Sequence, residues 1–183
     1  MKLKLYAVLT LMMMTGMKMN AQKPAEMKKA LVAYFSWSGN TKVVAGQIAE
    51  LTGGELFEIK TVDNYPEEYR PCTEVAKKEK NENARPQLKG EVAGMEQYDA
   101  VFVGFPNWWG TAPMAIWTFL EGYDWQGKTV IPFCTHGGGG EQNCFSDFAK
   151  HVGKAKKGFI TNGSQVNEAY PKVEKWLHEI GIK

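Results

Sequence analysis

Three short stretches hold the residues whose types and spacing suit chemistry. The first is Ser36-Trp37-Ser38-Gly39-Asn40-Thr41, with hydroxyls, an amide and a glycine packed directly after an apolar run. Backbone N–H groups at a helix start lack acceptors and carry partial positive charge, and neighbouring hydroxyls add donors. Such a loop can cradle a phosphate without Lys or Arg. Ser and Asn are also ordinary helix caps; the clustering of donors after the first apolar run favours the phosphate. The second stretch is Pro106-Asn107-Trp108-Trp109-Gly110-Thr111. Two adjacent tryptophans after a buried strand cannot both point into the layers of a sheet. One of them reaches the sheet's end and offers a flat apolar face to a planar aromatic ligand, unless it merely caps the core. The third is Thr135-His136 followed by Gly137, Gly138, Gly139 and Gly140. A glycine run lets backbone approach a ligand closely, and it also suits a mobile lid or a plain flexible connector.

Other patterns carry less. Gly122-Tyr-Asp-Trp-Gln-Gly127-Lys128-Thr129 matches the phosphate-loop pattern of nucleotide hydrolases. That pattern needs a strand before it and a helix after it, and here the order is reversed. Asn162-Gly163-Ser164 fits a glycosylation sequon, to which we assign no role. Cys134 and Cys144 flank the glycine run and could pair in an oxidising compartment, but spacing alone does not define their geometry. His136, His151 and His178 have no metal-ligand spacing to one another or to a cysteine, and no Ser-His-Asp arrangement is indicated.

The elements that position these loops follow from the apolar runs. Residues 30–35, 100–105 and 129–134 are continuous apolar runs, as expected of strands buried on both faces of a parallel sheet, although Pro132 weakens the third. Residues 56–59 and 158–161 read as shorter strands. Helices are predicted from about Gly39 to Leu51, over 113–121, 145–152 and 168–180, with a charged, partly helical surface stretch over 66–83. Residues 60–98 show no clear buried element and read as an elaboration on the sheet's face or edge. Alternating strands and helices specify an α/β fold with parallel strands. Ligands bind such sheets beyond the carboxyl ends of the strands, where all three stretches fall.

Composition agrees. A chain of 183 residues, 44% hydrophobic and 23% charged, is one globular domain, neither disordered nor fibrous. Residues 1–21 read as a secretory signal: Lys2 and Lys4, an apolar run from Leu5 to Met17, then Ala21 at the cut. As a helix that run spans about 20 Å, short of the ~30 Å needed to anchor in a membrane. Its removal takes Lys2, Lys4 and Lys18, leaving 19 basic and 20 acidic residues, or −1. The exported chain is therefore expected in the periplasm or medium, with no membrane span and no electrostatic claim on nucleic acid.

Residues 30–41, 106–114 and 127–140 resemble the flavodoxin family, in the subgroup with a Pro-x-Trp-Trp-Gly loop. The resemblance extends from about Lys28 to Lys183. It implies a flavodoxin-like three-layer sandwich around a five-stranded parallel sheet of order 2-1-3-4-5, binding FMN non-covalently. Ser36, Ser38, Gly39, Asn40 and Thr41 would hold the FMN phosphate, with Trp37 contributing its backbone N–H. Pro106, Asn107, Trp108, Trp109 and Gly110 would line the isoalloxazine, one tryptophan stacking on it. Thr135, His136, Gly137, Gly138 and Gly139 would meet its pyrimidine side. His136 stands where the subgroup has a small hydroxyl residue, and ordinary flavodoxins are acidic and cytoplasmic where this chain is near neutral. The implied function is a redox flavoprotein that carries electrons to a partner protein or small acceptor, with a freely flipping peptide near Gly110 meeting the flavin. The alternatives are an FMN-dependent NAD(P)H:quinone-type reductase and a non-enzymatic binding module.

Overall fold

The computed structural model describes residues 29–183. The proposed signal over 1–21 lies outside them. Five parallel strands form one sheet: β1 (Ala30–Tyr34), β2 (Glu55–Glu58), β3 (Ala100–Pro106), β4 (Thr129–His136) and β5 (Phe159–Asn162), in the order β2-β1-β3-β4-β5. The helices are α1 (Asn40–Thr52), α2 (Tyr69–Glu82), α3 (Met114–Glu121), α4 (Cys144–Val152) and α5 (Tyr170–Glu179). This is the flavodoxin-like sandwich in the expected strand order.

Alternation along the strands sorts the core into two layers. Val32, Phe102, Ile131 and Phe133 pack with Val44 and Ile48 of α1 and Val173, Trp176 and Leu177 of α5. Leu31, Val101, Val103 and Phe105 face the other way, onto Ile116, Phe119 and Leu120 of α3 and Phe148 of α4. Each large side chain so buried contributes about 1.5–3 kcal/mol. Pro132 is accommodated because the ladder from β4 to β5 begins at Phe133, just after it.

The stretch over 60–98 is more integrated than its composition suggests. Thr61 bridges to Leu88, and Val92, Met95 and Tyr98 enter the core beside α3. A short 3₁₀ turn over Met95–Gln97 leads into β3. A second one, Gly163–Glu168, lies where the sequence shows no element, and α5 begins at Tyr170 with Pro171 in its first turn. Residues 122–128 are the connection between α3 and β4. Lys128 donates to the carbonyls of Met95 and Tyr98, so it braces this turn and takes no part in a phosphate loop. Among the described residues no helix is long and apolar enough to cross a membrane.

Candidate functional site

The first loop turns directly from β1 into α1. Gly39 caps α1 without any side-chain hydrogen bond, and the first turn holds no acidic residue. The Lys42 N–H donates to Ser36 Oγ at 3.2 Å. The helix start thus has no carboxylate beside its dipole end and has neighbouring hydroxyls, a donor set suited to an anion. Thr41 is buried, its hydroxyl 2.9 Å from that of Thr135, so it joins the first loop to the end of β4. A hydroxyl has two acceptor positions and one donor, so this pairing leaves capacity for a phosphate oxygen. The Asn40 side chain packs over Gly163, where a Cβ would come within 2.5 Å of its Nδ2. Gly163 therefore gives Asn40 its place, a contact across 123 positions of sequence that no local pattern shows.

In the second loop the two tryptophans have different surroundings. The Trp108 ring meets Phe35 and Tyr65 edge-on, at 5.3 and 5.0 Å between centroids, and packs against the core. Its backbone pairs with Thr111 through hydrogen bonds of 2.9 and 3.2 Å. Trp109 is 48% exposed and lies against α2. Its indole N–H donates to the Thr73 carbonyl at 2.9 Å, Lys80 Nζ donates to its carbonyl at 2.5 Å, and Lys77 Nζ sits 5.1 Å over its ring. Trp109 adopts φ +54°, uncommon for a bulky residue, and these contacts hold it there. Gly110 follows at φ +86°, where a side chain would also meet Gln142. Its N–H donates to Asn107 Oδ1 at 2.9 Å. The Trp109–Gly110 peptide is thus tied at both its oxygen and its nitrogen. The free flip expected of a glycine peptide would have to break both bonds.

The third loop begins later than the sequence implies, because β4 runs on through Thr135 to His136. His136 Nδ1 accepts the Gly138 N–H at 3.0 Å, turning the imidazole back to brace the glycine run. Asn107 Nδ2 donates to the Gly140 carbonyl at 2.7 Å, and the Asn143 N–H to the Gly110 carbonyl at 2.9 Å. The second and third loops are therefore set against each other by hydrogen bonds.

Together the loops enclose a cavity of about 330 Å³. Of the expected residues, Trp37, Ser38, Asn40, Pro106, Asn107, Trp108, Trp109, Thr135, His136 and Gly137 line it. Ser36, Gly39, Thr41, Gly110, Gly138 and Gly139 are not among its lining residues, and Ser36 lines a neighbouring cleft with Phe35 and Tyr65. The remaining wall comes from α2, through Tyr69, Cys72, Thr73 and Ala76, none of which sequence reasoning singled out. Their spacing over 69, 72, 73 and 76 does mark one helical face. Trp37 closes the corner, with its indole N–H on the Pro66 carbonyl at 2.9 Å and its ring 6.4 Å from that of Tyr69.

The sequence matches the flavodoxin family over residues 29–180. The chain belongs to the flavodoxin family. Two solved relatives from Bacteroides agree. A candidate flavoprotein from Bacteroides eggerthii DSM 20697 is 32% identical, covers 85% of this chain and 99% of its own, and superposes with a TM-score of 0.69. Another from Bacteroides uniformis ATCC 8492 is 31% identical, with coverages of 84% and 99% and a TM-score of 0.71. A flavoprotein from Lactobacillus acidophilus NCFM, solved in complex with FMN, is 26% identical, with coverages of 77% and 97% and a TM-score of 0.64. Comparison with curated proteins found no match.

Beneath Trp108 this flavodoxin-family chain holds a partly buried polar pair. The Tyr65 hydroxyl donates to Glu79 Oε2 at 2.7 Å. Burial raises the Glu79 carboxyl above its ordinary value, and the Tyr65 hydrogen bond partly opposes this. Burial first, and then Glu79, push Tyr65 up, so it remains a donor at neutral pH. Burial and the Glu79 charge push the Cys72 thiol to about 11, leaving it protonated and unreactive beside the cavity. A raised carboxyl favours the fold most below its unfolded value, and that advantage is lost as pH rises through the folded value. Glu79→Gln keeps an acceptor for Tyr65 and removes the partly buried charge. Its melting temperature should exceed the wild type's at about pH 8 and converge with it near about pH 4. A variant less stable than the wild type at both would contradict this account.

Cys134 and Cys144 are buried free thiols in contact. The neighbouring Cys144 first, and then burial, push Cys134 far above the ordinary thiol range. Among the described residues no group of His, Cys, Asp and Glu is placed to hold a metal ion.

Proposed function

We propose that this chain binds FMN non-covalently at the mouth of its sheet and acts as a redox flavoprotein, first of all as an electron carrier. One observation carries the reading: the ends of β1, β3 and β4 converge with α2 on a single aromatic-lined cavity that also takes Ser38 and Asn40 from the start of α1, whose N-cap is a glycine. Those residues fit the group. The α1 start with Ser36, Ser38 and Asn40 would hold the phosphate, while Trp109, Trp108 and the Thr135–Gly139 backbone would flank the ring. The FMN bound by the relative from Lactobacillus acidophilus supports the assignment. When bound, FMN supplies the electron chemistry, and the protein supplies binding, orientation and electrostatics.

The residues present define that contribution. Tyr69, Trp37 and the tryptophan pair would exclude water from the ring. The tied Trp109–Gly110 peptide presents a fixed arrangement of its carbonyl and N–H, in place of one that reorients with each electron. The Lys80 ammonium on that carbonyl keeps it directed at α2.

The absorbance spectrum of protein purified without added flavin tests the reading directly. The expected result is a yellow protein with flavin bands; a colourless protein that takes up no FMN would refute it and favour a non-enzymatic binding module. Titration should show FMN bound in preference to riboflavin, because the α1 donors are satisfied by a phosphate and left unused without it. Equal affinities would remove the phosphate from the first loop. We also propose that residues 1–21 are cleaved on export. The intact mass of protein from its native host should correspond to a chain beginning at Gln22; a cytosolic protein still starting at Met1 would overturn that.

A further inference from the structure

Among the described residues, three other than glycine adopt a positive φ: Asn83, Trp109 and Gln142. Asn83 ends α2, where that conformation is ordinary, and its N–H reaches the carbonyls of Glu79 and Lys80. Trp109 is held by its contacts with α2. Gln142, at φ +47°, is exposed and ends no helix; α4 begins two residues later, with Asn143 as its N-cap. Glycine takes such a conformation without strain, as Gly138 and Gly140 do nearby at φ +125° and +71°. Strained residues of this kind cluster at functional sites, where the surrounding structure holds them. The backbone at 142 is therefore better suited to glycine, and the reason for a glutamine lies in its side chain.

That side chain lies against the centre of the second loop. A Cβ on Gly110 would come within 2.9 Å of Gln142 Oε1, and one on Gly139 within 3.5 Å of its Nε2. The same Oε1 accepts a long hydrogen bond from Asn107 Nδ2, at 3.4 Å. An amide nitrogen has two hydrogens to give. Asn107 gives its other one to the Gly140 carbonyl at 2.7 Å, so both are used. This fixes the Asn107 amide the way round that offers Oδ1 to the Gly110 N–H, at 2.9 Å. The next residue, Asn143, donates its N–H to the Gly110 carbonyl. Gln142 itself is not among the residues lining the cavity. We infer that Gln142 is a positioning residue of the flavin site: through Asn107 and Gly110 it holds the Trp109–Gly110 peptide, and with it the Trp109 ring, in the arrangement that receives the flavin. The inference rests on reading the cavity as the FMN site.

Two variants separate the side chain from the backbone. Gln142→Asn keeps a residue that tolerates positive φ and shortens the reach by one methylene. Gln142→Gly removes the side chain and relieves the strain. Both should weaken FMN about two- to tenfold, the size of one lost positioning hydrogen bond, and both should shift the reduction potential of the loaded protein. The Gly110 amide, read by hydrogen exchange before FMN is added, should exchange faster in both. The melting temperature of Gln142→Gly should nonetheless equal or exceed the wild type's, a divergence that plain structural support does not produce. Gln126→Asn, the same change in the exposed connection at the other end of the sheet, should leave affinity and potential as in the wild type. Wild-type affinity and potential in both variants, unchanged Gly110 exchange in Gln142→Asn, or a melting temperature of Gln142→Gly that falls in step with its affinity would overturn the inference while leaving FMN binding intact. A wild-type protein that takes up no FMN would overturn the flavin reading and this inference together.

Discussion

Gly104→Ala should destabilise this protein more than any other single-methyl addition to its sheet. Gly104 stands directly across from Phe133 in the β3–β4 ladder. The Phe133 ring lies over it, so that a Cβ would come within 2.0 Å of Cζ and 2.2 Å of Cε2. Both neighbours are immobile: Phe133 is fully buried among Val32, Phe102 and Val173, and the Gly104 carbonyl accepts the Phe35 N–H at 2.9 Å. Overpacking of this kind typically costs about 1–3 kcal/mol, and a ring with no room to move places this case at or above the top of that range. Any relief by strand movement would displace Phe35 and Asn107, which carry the first and second loops. Denaturant unfolding should therefore show a large loss of stability, and FMN affinity should fall with it. Phe133→Leu, which removes the ring, should cost less in the Gly104→Ala background than alone. If Gly104→Ala melts with the wild type, or the two changes simply add, the ring is not what demands glycine here.

How far the sequence anticipates all this depends on the range of the interactions involved. The strands were legible because each is buried on both faces, so 30–35, 100–105 and 129–134 read as unbroken apolar runs. The mouth loops were legible because they follow those runs. The glycine at 104 is visible in its run, but its reason, a ring from the neighbouring strand, depends on register. Helix α2 shows the opposite limit. It buries only Cys72 and Ala76, so its pattern is that of a surface helix, yet its docking over the second loop makes it a wall of the site. The exposed Tyr69 and the partly exposed Thr73 gain their role from that docking alone. The same holds for the free peptide flip expected at Gly110: glycine permits it, but Lys80 and Asn107, distant in sequence, oppose it.

The tryptophan pair should divide into a packing residue and a ligand-facing one, and the structure indicates which is which. Strand alternation predicts only that consecutive residues differ. Here Trp108 is set between Phe35 and Tyr65, while Trp109, turned by its positive φ, keeps about half its surface open at the cavity. Trp108→Ala should open a hole beneath the second loop and cost about 3 kcal/mol of stability, the lower end for an aromatic truncation because the ring is only partly buried. Trp109→Ala should leave melting nearly unchanged. The contacts it loses are largely solvent-exposed, and relaxation of the strained backbone offsets part of that loss. Its effect should fall on the ligand: FMN affinity lower by about 1–2 kcal/mol from lost stacking and area, with a shifted reduction potential as water reaches the ring. Trp109→Phe should recover most of the affinity, because a ring remains, and not the indole hydrogen bond to Thr73. Melting curves, FMN titrations and potentials on the three variants decide the matter. Full FMN affinity in Trp109→Ala, or wild-type stability in Trp108→Ala, would show that the roles are assigned the wrong way round.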